Sequence, residues 1–193
     1  MPEGATVFTL PDPALGDELI VLREPASRDL PAVVEGCRDP LVQRYTRVPT
    51  PYGEDDGRAF IGGAAGRRIL GQSLELVIAD RADDSLLGMV GIIADRHDAK
   101  RAEIGYWVTP RARGRGAATR ALGLLSRWSV TTGGFERLDL QAASSNLGSL
   151  RVAERCGFVR EGVLRRSWYR EDSRSDMVLF SLIPEDLGTP SPK

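Results

Sequence analysis

The sequence predicts a mixed α/β domain of the α+β kind, a mostly antiparallel central sheet flanked by helices. Three observations carry this. The apolar runs "LELVIAD", "LLGMVGIIAD" and "AEIGYWV" follow one another across the short polar turns "RADDS" and "RHDAK", as successive antiparallel strands do. Ala118, Ala121, Leu122, Leu125 and Trp128 then recur at three- and four-residue steps, one apolar helical face directed at a core. Finally "RLDLQAA" reads as a strand, "SLRVAERC" as a short helix stopping at Gly157, and "EGVLRRSWY" with "DMVLFSL" as a closing hairpin.

Taken in order, residues 1–18 are rich in proline and glycine and read as an irregular arm, residues 19–183 as a single domain, and residues 184–193 as a tail frayed at "TPSPK". The domain opens with a short strand, Leu19 to Leu22. Helical segments follow between Ser27 and Gln72, the first capped by Ser27 or Asp29 and broken near "RVPTPYG". The second contains "FIGGAAG", where each glycine costs about 1 kcal/mol relative to alanine in a helix. An irregular element is therefore expected, either shaping a substrate entrance or packing loosely on the surface.

At 193 residues, the chain has the length of one domain able to bury a core without disulfides or a structural metal. Its 26 basic and 27 acidic residues nearly cancel, which argues against a dedicated binder of nucleic acid or anionic membranes. Cys37 and Cys156 form no C-x-x-C pair, which points to a reducing compartment and assigns neither a catalytic role. The single histidine, His97, lies in the polar turn "ADRHDAK" and reads as a solvated loop residue; a histidine-rich metal site is excluded. No signal peptide or membrane span is read in the sequence, so a soluble, cytoplasmic protein is expected, as monomer or homodimer.

The stretch "YWVTPRARGRGAATRALGLLSRW" runs from strand to helix through two glycines set among three arginines. Such a junction suits an anion, because glycine permits close backbone approach and the first helical turn carries unpaired N–H groups. A P-loop is ruled out, since no lysine follows these glycines. A dinucleotide fingerprint fits Gly114 and Gly116, with Asp139 as the ribose acid, but Thr119 stands at the third glycine position and the preceding strands read as antiparallel.

Arg111-x-x-Gly114-x-Gly116 resembles the pyrophosphate signature [QR]-x-x-G-x-[GA] of the GNAT superfamily of acyl-CoA-dependent N-acetyltransferases. Downstream, Asn146, Ser149, Gly157 and Phe158 in "SSNLGSLRVAERCGFVREGVLR" resemble the Asn-x-x-Ser helix start and Gly-Phe step of the same superfamily. The combination of "AEIGYWV", "GFVREGVLR" and Asp176 to Leu182 is most similar to the branch of RimJ/RimL ribosomal-protein N-terminal acetyltransferases.

The resemblance implies that acetyl-CoA is the co-substrate, with no metal. It implies that Arg111, Arg113, Gly114, Arg115, Gly116 and Ala117 hold the pyrophosphate, that Val108 meets the pantetheine like an added strand, and that Asn146 holds the pantetheine arm. Ser149 is either a ligand and proton donor to the departing thiolate or a helix-start cap. The partner is an amine acceptor, a ribosomal or other protein N-terminus, or else a small amine such as an antibiotic or polyamine; direct nucleic-acid binding is not expected. A non-catalytic acyl-CoA-binding domain is the remaining alternative. An α-amine with pKa near 8 costs about 1.4 kcal/mol to deprotonate at pH 7, against roughly 4.6 for lysine. Glu103 is the candidate to receive that proton, or else an edge carboxylate paired with Arg101 or another arginine. Tyr106 and Trp107 point to opposite faces of their strand, one toward the core and the other toward the thioester channel.

Overall fold

The computed structural model describes residues 8–170 and 173–188, so the expectations for the first seven residues and for "TPSPK" lie outside the described residues. Among the described residues, seven strands form one sheet in the order β1-β2-β3-β4-β5-β7-β6. They are β1 Ile20–Arg23, β2 Ser73–Asp80, β3 Leu86–Ala94, β4 Arg101–Val108, β5 Arg137–Ala143, β6 Val159–Arg170 and β7 Ser173–Leu182. Every neighbouring pair is antiparallel except β4 and β5. The helices are α1 Leu30–Arg38, α2 Pro40–Tyr45, α3 Glu54–Ile69, α4 Ala117–Thr131 and α5 Leu147–Arg155.

The alternation of strand residues sends two apolar sets to opposite faces. On one face Leu74, Leu76, Ile78, Ile92 and Ile104 pack with Ala121, Leu122 and Leu125 of α4. On the other, Val77, Ala79 and Met89 pack with Val33, Val34 and Cys37 of α1. The α4 face is rotated slightly from the predicted one: Ala117 is buried, while Ala118 is only half-buried and borders the large cavity described below. The arm is irregular yet anchored, for Phe8 is buried against Phe135 with ring centroids 5.7 Å apart.

Two sequence expectations about helices are corrected. Neither Ser27 nor Asp29 caps α1 through its side chain. Asp29 instead accepts hydrogen bonds at 2.8 Å from both terminal nitrogens of Arg23 and from the Ala26 amide. The glycine-rich segment, expected to be irregular, is a continuous 16-residue helix, α3. Its ends explain this: Asp56 accepts from the Gly53 amide, acidic residues fill the first turn, and Arg67 and Arg68 occupy the last. Gly57 also lets α3 approach α1, since a Cβ there would lie 2.8 Å from Leu30 Cδ1.

Candidate functional site

The site originates in a split of the sheet. β4 and β5 pair over Arg101↔Arg137, Ala102↔Leu138 and Glu103↔Asp139 and then part. Asp139 clamps the joined end, accepting from Arg101 Nε at 2.6 Å and Arg137 Nε at 2.8 Å. Both of its oxygens are engaged by these arginines, which removes it as a ribose-binding acid. Beyond the clamp the strands diverge around a cavity of about 900 Å3, bordered by Gly105 to Val108 on one side and Gln141 to Ala143 on the other.

One end of the cavity is the glycine loop. Gly114 and Gly116 have φ of +73° and +81°, a left-handed conformation that favours glycine. Gly116 is the N-cap of α4 and provides no capping side chain, and the first bond of the helical ladder runs from the Arg120 amide to Gly116 O at 3.0 Å. The amides of Ala117, Ala118 and Thr119 therefore precede the ladder and border the cavity with Arg113, Gly114 and Gly116. Nothing lies within 4 Å of a Cβ placed on Gly114, so the loop opens onto free space.

The three arginines differ in placement. Arg111 Nη2 donates to Leu86 O at 2.9 Å and ties the loop to β3; its side chain does not border the cavity. Arg113 is paired with Asp39, the N-cap of α2. Arg115 is exposed and also away from the cavity wall. Arg151 and Arg155, which the sequence reading missed, border the cavity from α5. Their four-residue spacing, which puts both on one side of α5, was the available signal.

Val108, Asn146 and Ser149 all border the cavity. Asn146 is the N-cap of α5, its Oδ1 accepting from the Ser149 amide at 3.2 Å. The Ser149 hydroxyl lies 2.9 Å from the Tyr106 hydroxyl. Burial above all pushes the Tyr106 phenol up to about 12, so it is a neutral proton holder throughout the physiological range. Tyr106 packs with the α4 core and Trp107 with the α1 core, as opposite strand faces require, and both also border the cavity rather than one alone.

Glu103 borders the cavity on the α1 face of the sheet, with Arg47 Nη1 3.7 Å from its carboxylate. Arg101 is committed to Asp139, so the arginine beside Glu103 comes from the segment after α2. Arg47 also lies over the Trp168 ring, 5.3 Å from its centroid. Cys37 is buried and Cys156 half-buried, both free, and burial pushes their thiols up to about 11 and about 12, which keeps them un-ionised. His97 is exposed in its turn. Among the described residues no group of three or more His, Cys, Asp or Glu is arranged to hold a metal, and no helix is long and apolar enough to cross a membrane.

A split sheet with a glycine-lined helix start at one end defines the class of protein. The chain belongs to the GNAT acetyltransferases: residues 20–159 match the family described as "Acetyltransferase (GNAT) domain". It is an N-acetyltransferase. The ribosomal-protein-serine acetyltransferase of Escherichia coli is 31% identical over 101 residues, 52% of this chain and 56% of that protein. The spermidine N(1)-acetyltransferase of Vibrio cholerae is 26% identical over 92 residues, 48% of this chain and 53% of that one. Each match spans about half the relative's length. Among solved structures, Mycobacterium smegmatis RimJ in complex with CoA-disulfide has a TM-score of 0.78 at 24% identity, covering 89% of this chain and 85% of that one; this likeness concerns the fold.

Proposed function

We propose that the protein transfers an acetyl group from acetyl-CoA directly to a primary amine, and that the acceptor is a protein N-terminal α-amine. The observation that carries the reading is the Tyr106–Ser149 hydroxyl pair, set where β4 and β5 part and next to a cavity that ends on unpaired helix amides. The diphosphate would rest on the amides of Gly114 and of Gly116 to Thr119, with the Arg113 side chain and the exposed Arg151 and Arg155 as counter-charges. The pantetheine would lie along Val108 as a surrogate strand. Asn146 and Ser149 would border its inner end.

The amine lone pair attacks the thioester carbonyl carbon, and strand amides near Val108 receive the oxyanion. The C–S bond then breaks, the thiolate takes the Ser149 proton, Tyr106 replaces it, and solvent returns a proton to Tyr106. Glu103, directly or through water, takes the proton lost by the nitrogen and passes it to solvent. The products are an amide and free CoA thiol, with no acetyl-enzyme. Two points support an N-terminal acceptor: the Escherichia coli relative is named for acetylating serine of a ribosomal protein, and an α-amine costs little to deprotonate.

A second reading, acetylation of a small polyamine or antibiotic amine, is favoured by the spermidine-acetylating relative. An array of peptides beginning with Ala, Ser or Thr, run beside polyamines and aminoglycosides with mass-spectrometric detection of one added acetyl group, decides between them. Acetylation confined to the small amines overturns the N-terminal reading. CoA binding with no acceptor-dependent thiol release would instead leave a non-catalytic acyl-CoA domain.

A further inference from the structure

Glu75 is the cavity-facing carboxylate that the mechanism above leaves unused. Its Oε1 accepts from Arg67 Nε at 2.8 Å and from Ser73 Oγ at 2.7 Å, whereas Oε2 is closed off from solvent with no hydrogen-bond partner. A carboxylate oxygen held without a donor is costly. The register shows what lies beside it. Glu75 faces Gly91 across β2 and β3, and Gly91 faces Gly105 across β3 and β4, so the three occupy one row on one face of the sheet. Met89 and Trp107 form the row on one side, Ile93 and Glu103 the row on the other.

Glycine at the far end of this row is not demanded by the fold. Gly105 is absent from the positions of positive φ, and a Cβ built on it meets nothing within 4 Å. Its effect is to leave open space above β4, beside the split and between Glu103 and Trp107. At the middle position Glu75 leans toward the trough: its Cγ is 3.7 Å from a Cβ placed on Gly91. One strand spacing, about 4.8 Å, separates that position from Gly105.

Resting on the acetyl-transfer reading, the geometry points to the space above Gly105 as the seat of the acceptor amine and to Glu75 as the residue that positions it. The torsion at the end of a glutamate is broad, so a modest rotation turns Oε2 to the cavity while Oε1 keeps Arg67. The free oxygen then accepts a hydrogen bond from the acceptor's ammonium as it docks, and Glu103, farther along β4, takes the proton that leaves. Recognition and proton removal fall to different carboxylates.

Two variants test this, with peptide acetylation and acetyl-CoA binding measured for each. Glu75→Gln retains shape and removes charge; its KM for the peptide should rise roughly ten- to a hundredfold, the loss of one charge-assisted hydrogen bond, with kcat and acetyl-CoA affinity little changed. Gly105→Val fills the seat with a residue that strands favour, so the melting temperature should hold or rise while peptide turnover collapses. An unchanged peptide KM in Glu75→Gln, or full activity in Gly105→Val, overturns the proposal while leaving acetyl transfer standing. If the unmodified protein acetylates none of the peptides, the N-terminal reading falls and the proposal with it.

Discussion

The hydroxyls of Tyr106 on β4 and Ser149 on α5 meet 2.9 Å apart beside the opening of the sheet. The serine alone is a weak acid for a departing thiolate. A half-buried phenol behind it supplies a second proton and fixes the direction in which the serine donates. Ser149→Ala and Tyr106→Phe should each lower kcat, within the hundred- to ten-thousandfold typical of general acids, and leave acetyl-CoA affinity within a few-fold. With the phenol pushed up to about 12, neither residue should introduce an alkaline fall in rate below about pH 10. A loss of only two- or three-fold in both, by steady-state kinetics, would show that solvent protonates the thiolate.

Glu103→Gln should depress the rate most at low pH, where the acceptor is chiefly ammonium, and the loss should shrink as pH nears the α-amine pKa of about 8. A pH-rate profile checks this. A pH-independent drop would indicate that Glu103 acts through its contact with Arg47.

Gly114→Val places a β-branched residue at φ +73° with no neighbour to strike, so the strain is local to the loop. Acetyl-CoA affinity, by calorimetry, should fall further than the melting temperature suggests. Acetyl-CoA should also raise the melting temperature of the unmodified protein while NAD and ATP do not.

Asp39 holds Arg113 and also caps α2, accepting from the amides of Leu41 and Val42 at 3.1 Å. Asparagine caps as well as aspartate but cannot hold the ion pair. Asp39→Asn should therefore free Arg113 for the diphosphate and maintain or tighten acetyl-CoA binding. Asp39→Ala should cost about 1 kcal/mol of stability through the lost cap. Weaker acetyl-CoA binding in the asparagine variant would show that Arg113 serves the fold instead.

Burial pushes the Asp29 carboxyl up, but the hydrogen bonds from Arg23 and the Ala26 amide outweigh it and hold it below the ordinary range. Its contribution to stability is thus complete above the unfolded value of about 3.9 and is lost as pH falls through the lower folded value. Arg23 keeps its pair with Asp84, so Asp29→Asn should cost about 2 kcal/mol through the lost charge-assisted bonds, roughly 4–8 °C of melting temperature for a chain of this size. Acid denaturation followed by circular dichroism should show a shallower low-pH limb in the variant.

The strands, α4 and the glycine loop were legible in the sequence because each depends on local pattern: apolar runs, a helical repeat, and glycines at a junction. Partnerships between distant residues were not. Tyr106 and Ser149 are 43 positions apart, and Arg113 and Asp39 are 74 apart. Which groups meet depends on strand order and register, and those depend on how the whole chain packs. Glu75 was overlooked for the same reason. In "LELVIAD" it reads as one polar residue in a strand, and only the pairing with Gly91 and Gly105 reveals its outlook. The continuous α3 shows the converse, end charges and close packing on α1 outweighing a poor local propensity.

The short ladder between β4 and β5 has a mechanical consequence. Among the described residues, three register pairs and the amides of Glu136 and Arg137 on Lys100 O join the four-stranded half of the sheet to the three-stranded half, with Asp139 as a rivet at one end. The protein is built like a clothes peg, sprung open at the jaw. Whatever is laid along the open edges completes the weave, so a bound pantetheine would be a structural member of the folded protein as well as a reactant. Hydrogen exchange should register this as slowed amides along Gly105 to Val108 and Gln141 to Ala143, on both jaws at once, when the co-substrate is present.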